Sequence, residues 1–386
     1  MVIKELMNRF FTVVADPYSE AKRRKEQGQK VIGWLPTDVP EELIHAAGAF
    51  PVGILGSSNN IRLADTHLQV WVCSLMRSSL EMELCGDLDF LDGIIIPQTC
   101  DTTRALSGLW RKVCRTPYVE DFLLPKQVKR PSAREYLTGE LARIKTSLEQ
   151  VTGKKISDET LDTSIRLFNE NRQLLRRMFE IHTHQPGLLT SREVYTVIKA
   201  AMYMDKAEHN GILRDLIRAL EHKAAESAGT PDSKARLVIS GGVWEPPEIM
   251  DLIEEAGGVV VGDDLLTGMR YLTPDVDEER NPLEALADRQ LNKIPFGGFD
   301  NQNYERRRFL LDLVRNSEAR GLIFLHLKFC EPENYDYNDM REALNSAGIP
   351  NLRLETEVAN PSLGQIRTRL EAFIEMIGGN PIERTL

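Results

Sequence analysis

The sequence predicts an α/β protein in which two parallel, doubly wound sheets flank a helical segment. Short, nearly continuous apolar runs alternate with helix-forming stretches near both ends of the chain, the pattern of strands buried on both faces and joined by crossover helices. Between about residues 131 and 228 the texture changes to long charged segments of helical spacing, with few glycines and no candidate strand. A length of 386 residues leads to an expectation of about two or three folding units. The boundaries read as residues 1–130, 131–233 and 234–386.

Met1 to Val14 (MVIKELMNRFFTVV) has the spacing of an amphipathic helix, since Lys4, Glu5 and Arg9 interrupt its apolar residues. Lys30 to Leu35 (KVIGWL) reads as a strand that runs into Pro36-Thr37-Asp38-Val39-Pro40-Glu41. There Asp38 can cap a new helix and Glu41 completes a capping-box pattern. That helix, Glu41 to Ala47, stops at Gly48. Phe50 to Leu55 (FPVGIL) and Asp92 to Pro97 (DGIIIP) are further strands. In the middle, Ser132 to Val151 and Asp158 to Ile181 read as helices, and the small polar stretch from Ala225 to Ser233 reads as a linker. Strands follow at Arg236 to Ser240, Gly258 to Val261, Gly321 to Phe329 and Asn351 to Glu355. Helices are expected at Pro247 to Ala256, Tyr304 to Ala319, Asp336 to Ala347 and Leu363 to Met376.

Composition removes several functions. The chain is 42% hydrophobic and 27% charged, which disfavours disorder, collagen and coiled coil. With 48 basic and 58 acidic residues the net charge is −10, and no basic arm offers a footprint for nucleic acid or anionic lipid. No apolar run approaches the roughly 18 to 20 residues of a membrane helix, and nothing reads as an export signal. The expectation is a reducing cytoplasm, where the five cysteines stay free thiols.

In open α/β sheets the ligand site forms beyond the carboxyl ends of the strands. Cys100 lies where DGIIIP exits, and Cys330 holds the equivalent place after GLIFLHLKF. Cys73 precedes a helical segment, Ser74 to Leu84. At such positions backbone N–H groups and the helix dipole favour thiolates or cluster sulfides. Their spacing matches no compact zinc or ferredoxin run, and a free cysteine is also a common small core residue. Cys85 and Cys114 sit at the far ends of their helices and read as structural, Cys114 with a secondary claim as a fourth ligand.

The segment Ser240-Gly241-Gly242-Val243-Trp244 ends a strand in the site-forming layer, where glycines let a ligand approach the backbone; a plain turn is the alternative. In Gly33-Trp34-Leu35-Pro36-Thr37 the indole could line an aromatic or acyl pocket. Trp34, Thr37, Ser240 and Gly241 are therefore candidate substrate-binding residues. Other routes to chemistry are poorer: there is no phosphate-binding G-x-x-x-x-G-K-[ST] loop, no G-x-G-x-x-G after a strand and no G-x-S-x-G elbow. His182 and His184 read as exposed or in a turn, His326 as a satisfied core histidine, and Arg306-Arg307-Arg308 as a solvated helix face or a dock for an anionic partner.

Five stretches together resemble the benzoyl-CoA reductase and 2-hydroxyacyl-CoA dehydratase family: GWLPTDVPEELIHAAGAFPV (residues 33–52), CSLMRSSL (73–80), DGIIIPQTCD (92–101), KFCEP (328–332) and QIRTRLEAFIEM (365–376). The likeness runs over residues 31–376, and the W-L-P-T-D start most resembles the C-type subunit of the ATP-dependent reductase. The resemblance implies two flavodoxin-like domains plus a helical domain, and a [4Fe-4S] cluster held by three cysteines, which map onto Cys73, Cys100 and Cys330. It also implies a homologous cluster-bearing partner subunit, and an activator ATPase that carries the ATP-Mg and takes electrons from ferredoxin. The substrate would be an acyl-CoA, reduced at an aromatic ring to a cyclohexadiene thioester. The alternatives are a dehydratase small subunit working through a ketyl, and a non-catalytic electron-relay or scaffold subunit.

Overall fold

The computed structural model describes residues 2–36, 38–226, 234–294, 297, 299, 305–359 and 361–378. The amphipathic start forms α1 (Val2–Ala15), whose Met7 and Phe10 are buried, and is followed by α2 (Ser19–Glu26). The first sheet then builds from β1 (Val31–Trp34), α3 (Glu41–Ala46), β2 (Phe50–Gly53), α4 (Ser74–Cys85), β3 (Gly93–Pro97), α5 (Asp101–Val113) and β4 (Val119–Phe122). Its strands are all parallel in the order β2-β1-β3-β4, with Val31 opposite Phe50, Ile32 opposite Gly93 and Ile94 opposite Val119. Strands β1, β2 and β3 are buried along their whole length, which is why they read as continuous apolar runs.

The middle consists of α6 (Pro131–Thr152), α7 (Asp158–His184), α8 (Ser191–Ala200) and α9 (Lys206–Glu226). Proline at the first turn starts α6 and left-handed Gly153 ends it, Ser157 caps α7, and a Thr190/Glu193 capping box starts α8. Residues 227–233, most of the expected linker, lie outside the described residues.

The second sheet repeats the winding of the first: β5 (Ala235–Gly241), α10 (Glu248–Glu255), β6 (Gly258–Leu265), α11 (Met269–Leu272), α12 (Pro282–Leu291), α13 (Glu305–Asn316), β7 (Gly321–Leu327), α14 (Glu331–Ser346), β8 (Asn351–Thr356) and α15 (Leu363–Gly378). The order is β6-β5-β7-β8, again all parallel. Each sheet therefore has the flavodoxin-like order, with its topological switch point between its first and third strands. The expected α/β class with two such sheets and added helices is what the chain adopts.

The helical middle has no core of its own. Leu137, Ile144 and Leu161 share one apolar cluster with Ile94 and Ile95 of the first sheet, whereas Leu175, Leu213 and Leu216 share another with Leu237 and Ile323 of the second. Polar contacts tie the first unit to the helical middle and also directly to the second unit. Glu42 pairs with Arg172 at 2.7 Å, Lys293 with Asp38 at 2.9 Å, and Tyr271 donates its hydroxyl to Glu41. Among the described residues no helix is long and apolar enough to cross a membrane.

Several local expectations are corrected by contacts that the linear sequence conceals. Asp38 does not cap α3; its backbone takes a positive φ of 79° and its carboxylate turns to Lys293, leaving Pro40 at the cap, while Glu41 is buried against Tyr271 and Lys206. Arg306 is not on a solvated face but fully buried among three carboxylates. His182 is buried rather than exposed, with Nε2 2.9 Å from the Val260 carbonyl, whereas His184 is exposed. His326 is in the core as expected, but neither ring nitrogen has a hydrogen-bond partner.

Candidate functional site

The switch-point loops of both sheets meet at one cavity of about 50 Å³. Pro36 enters it from the exit of β1, Thr99 and Cys100 from β3, Gly242 and Val243 from β5, and Leu327, Phe329 and Cys330 from β7. Cys73 arrives from the connection between β2 and β3. The three cysteines that positional reasoning selects thus line one cavity drawn from both sheets.

Each of the three is the residue immediately ahead of a helix: Cys73 caps α4, Cys100 caps α5 and Cys330 caps α14. Three helix N-termini therefore present their unpaired backbone N–H groups and positive dipole ends toward the thiols. The Cys100 turn is locked reciprocally, since its backbone N–H donates to Thr103 Oγ1 at 3.2 Å and that hydroxyl donates back to the Cys100 carbonyl at 3.0 Å. Phe329 takes a positive φ of 62°, which is uncommon for a bulky residue and turns the chain sharply ahead of Cys330.

Cys73 is 9% exposed, and Cys100 and Cys330 are half-buried. Burial pushes the Cys73 thiol up to about 11, against the pull of the Met76 and Leu75 backbone N–H groups and with a push from Cys100. Burial also raises Cys330 well above its ordinary value, and the neighbouring Cys73, Glu333 and Cys100 add to it. Three bare thiolates crowded together out of water repel one another, so the donor set suits a cationic group that neutralises all three. Among the described residues no three His, Cys, Asp or Glu side chains converge closely enough for a single metal ion. A cubane iron–sulfur cluster asks for a different arrangement, one thiolate per iron, and three thiols spread around a shared cavity fit it.

The remaining two cysteines stand apart. Cys114 closes the far end of α5 from Cys100, which over its 13 residues is a separation of about 20 Å. The fourth-ligand role considered for it is thereby excluded; its half-buried thiol is pushed up to about 12 by burial and the nearby Glu83. Cys85 ends α4 and is exposed rather than packed in a core.

Trp34, Ser240 and Gly241 do not line this cavity. Trp34 is buried and stacks on Tyr271 with ring centroids 6.2 Å apart. Ser240 is fully buried and donates to Asp264 at 3.0 Å. A Cβ on Gly241 would stand 2.0 Å from the Leu325 carbonyl oxygen, so close strand packing requires glycine there. The cavity takes its share of this loop from Gly242 and Val243 instead. Thr37 lies outside the described residues.

Sequence reading missed Leu266, which lines the cavity just beyond β6. The sequence-based expectation ends this strand at Val261. It continues because Asp263 Oδ1 accepts the Leu265 and Met269 backbone N–H groups and Asp264 is paired with Arg270 and Arg306. Trp71, Phe329 and Tyr335, respectively 64%, 49% and 67% exposed, rim an open surface cavity that shares Phe329 and Glu331 with the cysteine cavity.

The chain is 32% identical over 383 residues to the beta subunit of (R)-2-hydroxyglutaryl-CoA dehydratase from Acidaminococcus fermentans, covering 98% of this chain and 100% of that protein. It is 30% identical over 377 residues to the (R)-phenyllactyl-CoA dehydratase beta subunit of Clostridium sporogenes, covering 97% and 99%. To the C-type subunit of benzoyl-CoA reductase from Thauera aromatica it is 29% identical over 368 residues, covering 93% and 94%. Residues 36–377 match the family model described as 2-hydroxyglutaryl-CoA dehydratase, D-component, and by that match the chain belongs to this family of acyl-CoA dehydratase and reductase subunits.

Proposed function

We propose that this chain is an iron–sulfur subunit that passes low-potential single electrons to an acyl-CoA thioester, with Cys73, Cys100 and Cys330 as the ligands of a [4Fe-4S] cluster. The observation that carries the reading is the cavity itself, which gathers three helix-capping thiols from both sheets. When bound, the cluster supplies single electrons that reduce the thioester carbonyl toward a ketyl. The chain's own residues do the rest: the three helix N-termini stabilise negative charge on the sulfurs. Leu75, Met76, Val243, Leu266 and Leu327 line the cavity with apolar side chains and limit water there. Lys126, whose Nζ donates to the Thr99 carbonyl at 2.6 Å, holds the loop that presents Cys100.

Electrons need a source, and the chain carries no phosphate-binding loop. We assign that task to an activator ATPase with its own Mg-ATP, fed by ferredoxin, and pair this chain with a homologous cluster-bearing subunit in the cytoplasm. The aromatic rim of Trp71, Phe329 and Tyr335 beside the cavity suits such docking, since exposed aromatic residues are enriched at interfaces.

Two net reactions share this electron transfer. In a benzoyl-CoA reductase, two electrons and two protons add to the ring to give a cyclohexadiene thioester. In a 2-hydroxyacyl-CoA dehydratase, the electron is returned and water is lost. The family description and the 30% and 32% identical relatives favour dehydration, and the W-L-P-T-D start with the 29% identical relative favours ring reduction. Anaerobic assay of the reconstituted complex with benzoyl-CoA and with a 2-hydroxyacyl-CoA, under ATP and a strong reductant, separates them. Turnover of only the hydroxyacyl thioester rejects the reductase reading, and turnover of neither rejects both.

A further inference from the structure

Behind the cysteine cavity the second unit buries a charge network that the proposed reaction does not use. Arg306 of α13 has no exposed surface, and its three nitrogens reach Asp264 at 3.1 Å, Glu333 at 2.9 Å and Asp336 at 3.2 Å. Asp264 also pairs with Arg270, with 2.8 Å between Arg270 Nη2 and Asp264 Oδ2. Burying this many charges is costly, and removing one partner strands the rest. Such a network is weak evidence for stability and invites a functional reason.

Its placement supplies one. Asp264 stands at the end of β6, two residues before cavity-lining Leu266. Glu333 and Asp336 lie in the first turns of α14, the helix that Cys330 caps. Glu333 follows Cys330 by three residues in the first turn of that helix, one helical turn away on the same face, and the negative charge of its carboxylate adds to burial in raising that thiol. That carboxylate is fully buried, and its Oε1 has no hydrogen-bond partner. The third buried neighbour, His326, has Nε2 3.6 Å from Glu333 Oε2 and is held down to about 4 by burial, so it contributes no positive charge near neutrality.

We propose that Glu333, clamped by Arg306, is a positioning residue for Cys330, and that its buried carboxylate holds the reduction potential of the group at that thiol low. An arriving electron makes a cluster more negative, and a fixed carboxylate in a medium that screens poorly opposes it. Three carboxylates, Asp264, Glu333 and Asp336, face the two guanidinium groups of Arg306 and Arg270, so the network keeps one more negative than positive charge. The inference rests on reading the three cysteines as cluster ligands.

The test compares the anaerobically reconstituted wild-type chain with Glu333→Gln, which keeps the side-chain volume and one acceptor for Arg306, and with Asp336→Asn at the less buried end of the network. Iron and acid-labile sulfide, thermal midpoint and an EPR-monitored redox titration are measured on each. Both variants are expected to keep wild-type iron, with the Glu333→Gln midpoint shifted to higher potential and that of Asp336→Asn shifted the same way by less. A fully loaded Glu333→Gln chain with the wild-type midpoint overturns the inference and leaves the cluster reading standing. Should Glu333→Gln fail to fold, an unshifted midpoint in loaded Asp336→Asn overturns it equally. A wild-type chain that takes up no iron overturns the cluster reading and this inference together.

Discussion

Cys100 and Cys330 hold the same station in the two sheets: each caps the helix that follows the third strand of its sheet, α5 after β3 and α14 after β7. Cys73 joins them from the first unit alone, and the second unit offers apolar Leu266 to the same cavity. The site is therefore three-thiol by construction, with a fourth side that carries no cysteine.

This asymmetry predicts a sharp contrast along a single helix. Cys100→Ala at the start of α5 abolishes the visible absorbance and EPR signal of a reconstituted cluster, whereas Cys114→Ala at its end leaves both unchanged. Equal losses in the two variants would show that the chain, not the ligand set, is what the substitutions damage.

Packing at the exit of β5 gives a second contrast. Gly241→Ala drives a Cβ to 2.0 Å from the Leu325 carbonyl and should destabilise by about 1–3 kcal/mol or more. Gly242→Ala meets nothing within 4 Å and should hold the wild-type thermal midpoint. Thermal unfolding followed by circular dichroism checks both, and equal midpoints would remove the packing argument.

Stability should also fall on the acid side earlier than carboxylates alone would cause. His209 is fully buried; its Nε2–H donates to the Val197 carbonyl at 3.0 Å, and Asn171 Nδ2 donates to its Nδ1 at 2.8 Å. Burial holds it down to about 3, from an ordinary value of 6.5. Below pH 6.5 the unfolded chain binds a proton that the folded chain refuses, so stability is lost as the pH falls, by roughly 2 kcal/mol from this group at pH 5. Chemical denaturation between pH 7.5 and 5 measures it, and a His209→Asn chain, weaker at pH 7.5, should show a shallower acid slope. Parallel slopes would contradict the assignment.

At the rim, Trp71 and Tyr335 are exposed and contribute little to the fold, so Trp71→Ser should leave the isolated chain's stability within about 0.5 kcal/mol. The same change should weaken co-purification with a co-expressed homologous subunit or slow electron uptake from the activator. Wild-type behaviour in both would move the docking surface elsewhere.

How much of this was legible in the sequence depends on the range of the interaction involved. Strands β1, β2 and β3 announce themselves because burial on both faces demands an unbroken apolar run, and the thiols because strand exit and helix start are local features. Edge strand β4 (VEDF) was missed: Glu120 is buried against Arg143 and Ser147, 23 and 27 residues on, and the Tyr118 hydroxyl. Arg306 looked solvated because Asp264 and Glu333 are remote in sequence, and Glu41 looked like a capping residue because Tyr271 lies 230 residues away. Periodicity carries the sheets; pairing of distant charges, which it cannot carry, decides the layer beneath the site.

The most direct test of the three-thiol site is anaerobic iron and acid-labile sulfide analysis of the wild-type chain beside a Cys73→Ala/Cys100→Ala/Cys330→Ala variant of verified fold. The account predicts about four irons and four sulfides in the first and none in the second. A folded wild-type chain without iron, or a triple variant that keeps it, would contradict the account.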